Sequence, residues 1–207
     1  MHLAVFGATG RVGKRVLEYA IADGHTVTAL VRDAARLVPR RDLTIVGGDV
    51  LDPESVAQTV RGADAVISTL GNAGLQEPGT AVSEGMRNIA QAMLDASVAR
   101  VLSVAGGGIL DSPNGGLRQE QPTFPAIFRL TSAQHRGGWE ALRETTLDWT
   151  IACTGDIVPG ERTGAYRVLD DFLPEGGRRI SVEDVADFLL GELATGAHLR
   201  KRVGLGY

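Results

Sequence analysis

The first hundred residues alternate between two hydrophobic patterns. Leu3-Ala4-Val5-Phe6 is a short unbroken apolar run that ends in glycine, the pattern of a strand buried on both faces. Residues 11–23 follow with Val12, Val16 and Ala20 at helical spacing, and Gly24 stands where a helix stops. Val27–Val31, Leu43–Val46 and Asp64–Ile67 repeat the strand pattern. The segment 81–97 carries Val82, Met86, Ile89, Ala90, Met93 and Leu94 on one helical face, and Arg100–Val104 is a fifth strand. Strands separated by helical segments predict right-handed βαβ units and a parallel sheet.

Beyond Val104 the pattern loosens. Gly106-Gly107-Gly108 opens a long stretch containing Pro113, Gly115, Gly116, Pro122 and Pro125. A loop of that length is usually functional or mobile, and this one leaves the end of a strand, where open α/β sheets bind ligands. It is expected to cover an acceptor site. A helix is predicted at about 132–145 and a strand over Asp148–Ala152. A last helix is capped by Ser181, with Val182, Val185, Ala186, Leu189, Leu190 and Leu193 as its buried stripe. The expected fold class is α/β: a single doubly wound, Rossmann-type domain over residues 1–207, with a small C-terminal region on the substrate side.

The turn between the first strand and the first helix reads Gly7-Ala8-Thr9-Gly10-Arg11-Val12-Gly13. Glycines at this spacing let the backbone turn sharply and approach a pyrophosphate, while the helix start offers free N–H groups and partial positive charge. The second strand ends in Val31-Arg32-Asp33, with Arg36 close behind. A carboxylate at this strand end would accept from the ribose hydroxyl of NAD, whereas two guanidinium groups suit the 2′-phosphate of NADP. NADPH is therefore expected in preference to NADH, with Asp33 as the competing ribose ligand. Asp49 and Val50 follow the third strand, where adenine is expected. Leu70 and Gly71 follow the fourth, where ribose is expected. Val104, His135 and Ile157 complete the expected cofactor-binding set.

Composition narrows the remaining choices. A net charge of −4 gives no support to nucleic-acid binding. No stretch approaches the length of a membrane span, and the chain starts directly on a strand, so a cytoplasmic protein without membrane association is expected. The single cysteine, Cys153, rules out an internal disulfide and reads as a small core residue. His2, His25, His135 and His198 lack ligand spacing, so no metal site is expected, and no Gly-x-Ser-x-Gly elbow is present. His135 and Asp156 are weak candidates for catalysis, the latter reading more naturally as a turn residue. Trp139 and Trp149 read as core, although Trp139 lies where it could touch a flat ligand. With no heptad and no long apolar edge, a monomer is expected.

The chain resembles the atypical short-chain dehydrogenase/reductase group, and within it the biliverdin-IXβ reductase/flavin reductase family. The resemblance rests on Phe6-Gly7-Ala8-Thr9-Gly10, Leu30-Val31-Arg32-Asp33, Gly48-Asp49-Val50-Leu51, Ser83-Glu84-Gly85-Met86-Arg87-Asn88-Ile89, Leu142-Arg143-Glu144 with Leu147, Thr163-Gly164-Ala165-Tyr166 and Ile180-Ser181. It implies NADPH-dependent hydride transfer to flavins or bile-pigment tetrapyrroles. Two family positions differ: the serine after the fifth strand falls at Gly106, and the histidine after the sixth at Asp156. His135 matches a family histidine near the cofactor. None of Tyr19, Tyr166 and Tyr207 has a lysine four residues on, which disfavours alcohol–ketone chemistry. The expected function is hydride transfer from NADPH to a flavin-like or other conjugated small molecule, which needs stacking and water exclusion more than a dedicated proton donor. The alternatives are a non-catalytic, redox-sensing NADP(H)-binding regulator, or a tailoring reductase or isomerase of a biosynthetic pathway.

Overall fold

The computed structural model describes residues 1–207. One eight-stranded sheet runs in the order β3-β2-β1-β4-β5-β6-β10-β8. Its strands are β1 (His2–Phe6), β2 (Thr26–Val31), β3 (Leu43–Gly47), β4 (Ala65–Ser68), β5 (Arg100–Gly106), β6 (Asp148–Thr154), β8 (Arg167–Asp170) and β10 (Lys201–Gly206). All neighbours are parallel except β8, which runs antiparallel to β10. A separate parallel ribbon joins β7 (Asp156–Val158) to β9 (Arg179–Ser181). This is the expected doubly wound α/β fold. The C-terminal stretch both places the small ribbon beside the strand ends and returns β10 and β8 to the main sheet.

Two apolar layers explain why the sheet is covered on both faces. On one face α1 (Arg11–Ala22) and α5 (Val182–Thr195) pack together, burying Val16, Ala20, Val185 and Leu189 against Leu3, Val5 and Ile67. On the other, α2 (Pro53–Val60), α3 (Ser83–Asp95) and α4 (Arg129–Arg143) bury Val56, Ile89, Met93 and Leu142 against Phe6, Val66 and Val101. Alternate strand residues face opposite layers, so a strand covered on both sides is mostly apolar. Cys153 and Trp149 are core residues, and burial pushes the Cys153 thiol above its usual range. No helix is long and apolar enough to cross a membrane.

The sequence pattern missed several elements. Helix α2 begins at Pro53 with Asp52 as its cap, accepting from the Glu54 and Ser55 amides at 3.2 Å. That signal was local and readable. β10 was not readable, because Lys201-Arg202-Val203-Gly204-Leu205-Gly206 mixes cations with glycines. Its pairing depends on partners far along the chain. Buried Arg202 donates to the Ile109 carbonyl at 2.5 Å and to Asp111 at 2.9 Å, with its guanidinium 4.2 Å from the Trp139 ring centre. A Cβ on Gly204 would stand 2.0 Å from the Phe172 oxygen.

The Thr163-Gly164-Ala165-Tyr166 run also acquires a physical reason. Asp184 is fully buried in the first turn of α5 and accepts from the Thr163 amide and hydroxyl, the Gly164 amide and the Tyr207 hydroxyl at 2.6–3.0 Å. Burial works to raise its pKa, but these donors outweigh it and hold the carboxyl below its usual range. The stabilisation is present above the ordinary carboxylate pKa and is lost as pH falls through the lowered one. Asp184→Asn should cost about 1.5–3 kcal/mol in urea unfolding at pH 7, the worth of a charged hydrogen bond. The difference from wild type should narrow in acid. An equal loss at all pH values would contradict the assignment.

Candidate functional site

The chain passes from β1 outward to β3 and then returns to β4 on the other side of β1. Such a reversal leaves a crevice at the strand ends. Here Gly7 and Thr69 face each other across it. The Thr69 amide donates to the Phe6 carbonyl at 2.9 Å, and its hydroxyl lies 3.1–3.2 Å from the Phe6 and Gly7 oxygens. Gly7 has φ +81°, and a Cβ there would sit 2.7 Å from the Thr69 backbone. A Cβ on Gly13 would sit 2.1 Å from the Gly7 oxygen. Gly10 differs, since its Cβ would meet only the Gly7 oxygen, at 3.2 Å. Gly7 and Gly13 make the turn possible, whereas Gly10 keeps its outer surface bare.

Helix α1 starts from this turn with no side-chain cap and no acidic residue in its first turn. By contrast, α2 and α5 are capped by Asp52 and Ser181 and carry acidic first turns. The amides and partial positive charge at the α1 start are therefore free for an external anion. Two cavities adjoin at this point, sharing Gly10 and residues 69–72 as a common wall.

The smaller cavity, about 420 Å³, is lined by Gly7, Thr9, Arg32, Arg36, Asp49, Val50, Leu70 and Gly71 among others. Arg32 and Arg36 are exposed and form no ion pair. Asp33 instead accepts from the Ala35 amide at 3.0 Å, capping a short helical turn over Ala34–Arg36. Asp49 accepts from the Leu51 amide, and the Val50 carbonyl accepts from Asn88 at 2.9 Å. This explains two positions of the Ser-Glu-Gly-x-Arg-Asn run, Gly85 and Asn88. Gly85 lets α3 approach, because its Cβ would meet Val50 at 2.8 Å, and Asn88 then ties the β3 end to the helix.

The larger cavity, about 870 Å³, takes Arg11, Val12, Val104, His135, Asp156 and Ile157 into its walls. Arg11 bridges from α1 to the ribbon, donating to the Ile157 carbonyl at 2.9 Å. His135 Nε2 lies 3.1 Å from Asn72 Nδ2, while His135 Nδ1 and Asn72 Oδ1 are buried without partners. Burial lowers the His135 pKa to about 4, so the ring is neutral near pH 7. Asp156 is exposed on β7. Thus every expected cofactor residue except Gly13 lines one of the two cavities, and Gly13 lies beneath the turn.

Other wall residues gave no local sequence signal. Asn72, Arg118, Phe124 and Ser132 come from separate segments that only folding brings together. The loop after β5 is more firmly built than its composition suggests. Ile109 and Leu110 are fully buried, and only part of the segment, including Gly106–Gly108, Arg118 and Phe124, reaches the cavity. Trp139 lines neither cavity, and its ring instead meets the guanidinium groups of Arg143 and Arg202.

Comparison with known proteins agrees with this geometry. Residues 7–195 match the family model described as NAD(P)H-binding. The uncharacterized protein YwnB of Bacillus subtilis is 30% identical over 98% of this chain and 96% of its own. A solved structure of a proposed exported protein from Burkholderia pseudomallei is 32% identical, with TM-score 0.86 and full coverage of both chains. That of a proposed NADH-flavin reductase from Streptococcus pneumoniae is 28% identical, with TM-score 0.83, over 100% of this chain and 99% of its own.

The glycines should separate under mutation. Gly13→Ala forces overpacking against backbone and should destabilise by about 3 kcal/mol or more in denaturant unfolding. Gly10→Val should lose about 1 kcal/mol and retain the fold. A Gly13→Ala protein as stable as wild type would refute the packed role. His135 makes a second prediction. Its neutral buried state contributes fully above its ordinary pKa of 6.5, and stability should fall as pH drops from there towards about 4. His135→Gln should flatten that part of the profile.

Proposed function

The chain belongs to the NAD(P)H-binding family, and on that premise we propose that it is an oxidoreductase that uses NADPH to reduce a flavin-like or other conjugated small molecule. In this reading residues 1–207 form one NAD(P)-binding domain acting as a cytoplasmic monomer. The observation that carries it is the pair of adjoining cavities at the uncapped start of α1. One has two unpaired arginines, and the other is large enough for a flat partner beside a nicotinamide.

The donor groups fit the dinucleotide part by part. Gly7, Thr9, Gly10 and the first amides of α1 face the pyrophosphate, with Arg11 and Val12 beside it. Asp49, Val50, Leu70 and Gly71 border the adenosine. Arg32 and Arg36 hold the 2′-phosphate, because Asp33 is occupied with its own turn. Val104, Ile157 and His135 border the nicotinamide end, where the unpartnered Asn72 Oδ1 and His135 Nδ1 offer hydrogen bonds. NADPH, when bound, supplies a hydride from its nicotinamide ring. The chain aligns the acceptor, excludes water and keeps His135 neutral, and the proton completing the reduced acceptor comes from solvent. Steady NADPH oxidation with FMN under anaerobic conditions supports this reading. Tight NADPH binding without turnover of any conjugated acceptor would replace it with a redox-sensing regulator.

Cofactor choice gives the sharper test. A charged hydrogen bond is worth about 1.5–3 kcal/mol, so Arg32→Ala should weaken NADPH binding by about ten- to a hundredfold. NADH lacks the phosphate and should bind nearly as before. Equal losses for both cofactors would remove the phosphate assignment. Gly10→Val, although folded, should lose affinity for both, because its side chain intrudes on the pyrophosphate they share.

A further inference from the structure

Arg118 stands in the wall of the larger cavity and plays no part in the cofactor assignment above. It is half-buried, its Nε is buried without any hydrogen-bond partner, and none of the ion pairs in the structure includes it. The nearby carboxylates are already committed. Glu120 accepts from the Leu117 amide at 2.9 Å and pairs with Arg136 at 3.0 Å, and Asp111 pairs with Arg202 at 2.9 Å. Asp156 lines the same cavity but lies beyond ion-pair distance of Arg118.

The backbone that carries Arg118 is fixed. Its amide donates to the Leu110 carbonyl at 2.8 Å, and its carbonyl accepts from the Gln121 amide at 3.2 Å. Arg129 holds the Gln119 and Gln121 carbonyls from α4. Phe124, Phe128 and Leu173 supply apolar surface in the same cavity. A partly desolvated cation without a counter-charge is unfavourable by itself. Its planar fork matches the two oxygens of a carboxylate or phosphate.

We propose that Arg118 anchors an anionic substituent, a carboxylate or a phosphate, on the acceptor, whose flat ring lies against the aromatic wall. The assignment rests on the reductase reading above and adds to it: the acceptor is an acid, and Arg118 determines that specificity. Asp156, in the same cavity, disfavours the reverse placement of the anion.

The test uses NADP⁺-loaded protein, so that the dinucleotide cleft is filled, and compares FMN with riboflavin by calorimetry. The two flavins differ only in the phosphate. Wild type should bind FMN about tenfold or more tightly than riboflavin, with the preference shrinking in high salt. Arg118→Ala should weaken FMN by about ten- to a hundredfold and leave riboflavin within about twofold, with Arg118→Lys recovering part of the loss. A second pair, lumiflavin and 10-carboxymethylflavin, tells whether a carboxylate is accepted in place of the phosphate. Failure of FMN to bind, equal affinity for FMN and riboflavin, or equal losses for both in Arg118→Ala overturns the anchor. NADPH oxidation assayed alongside separates the two readings. Turnover of both flavins without an anion preference leaves the reductase standing and removes the anchor. Arg118-dependent FMN binding without turnover does the reverse.

Discussion

The structure depends on how closely the β1–α1 turn approaches Thr69. Thr69 receives the end of β1 through the Phe6 and Gly7 oxygens, and this contact leaves no room for a Cβ on Gly7 or Gly13. Because β1 and β4 are held in register here, α1 is aimed at the crevice and not into a neighbouring loop. Both cavities inherit residues 69–72 as their common wall. The same contact therefore shapes the place where the strand ends can receive a ligand.

Charge is distributed unevenly around this frame. Away from the cleft, buried ionic groups are matched inside the protein. Asp184 has several donors, Arg202 joins β10 to the loop after β5, and Arg100 meets Glu192 at 2.9 Å with Thr150 between them. Burial lowers the Arg100 pKa, with Glu192 opposing that effect. Such groups hold distant segments in one arrangement, and removing either partner would leave a buried charge unmatched. At the cleft the opposite holds, for Arg32, Arg36 and Arg118 have no acidic partner. The chain is acidic overall, at −4, yet the cleft presents uncommitted cations. Net charge thus gives no support to a polyanion-binding surface without describing the site, since a few arginines in a concave wall act locally on a small anion.

The neutrality of His135 belongs to the same logic. The His135 ring, set against Asn72, loses its hydration, and no carboxylate is present to restore the charged form. Its Nδ1 has no partner in the protein and suits an uncharged polar group such as an amide. This fits the nicotinamide end of the proposed cofactor better than a role as a charged acid.

The sequence by itself determined the alternation of apolar runs and helical spacing, and hence the parallel sheet with helices on both faces. It also determined the turn from Gly7 to Gly13 and the two cations after β2. These features are local. A buried strand is mostly apolar, a close backbone approach excludes Cβ atoms, and an uncapped helix start after a glycine turn needs no distant partner to be recognised. Only the tertiary structure decided that Asp33 caps its own turn and leaves Arg32 free, although both possibilities were legible in the same three residues. Only it made a strand of Lys201–Gly206, because the reason that Arg202 can be buried lies at Ile109, Asp111 and Trp139, and the reason for Gly204 lies at Phe172. The larger cavity was illegible for the same cause. Arg118, Phe124, Ser132 and Asn72 carry no shared spacing, and their meaning as one wall arises from long-range packing that brings separate loops over the end of the sheet.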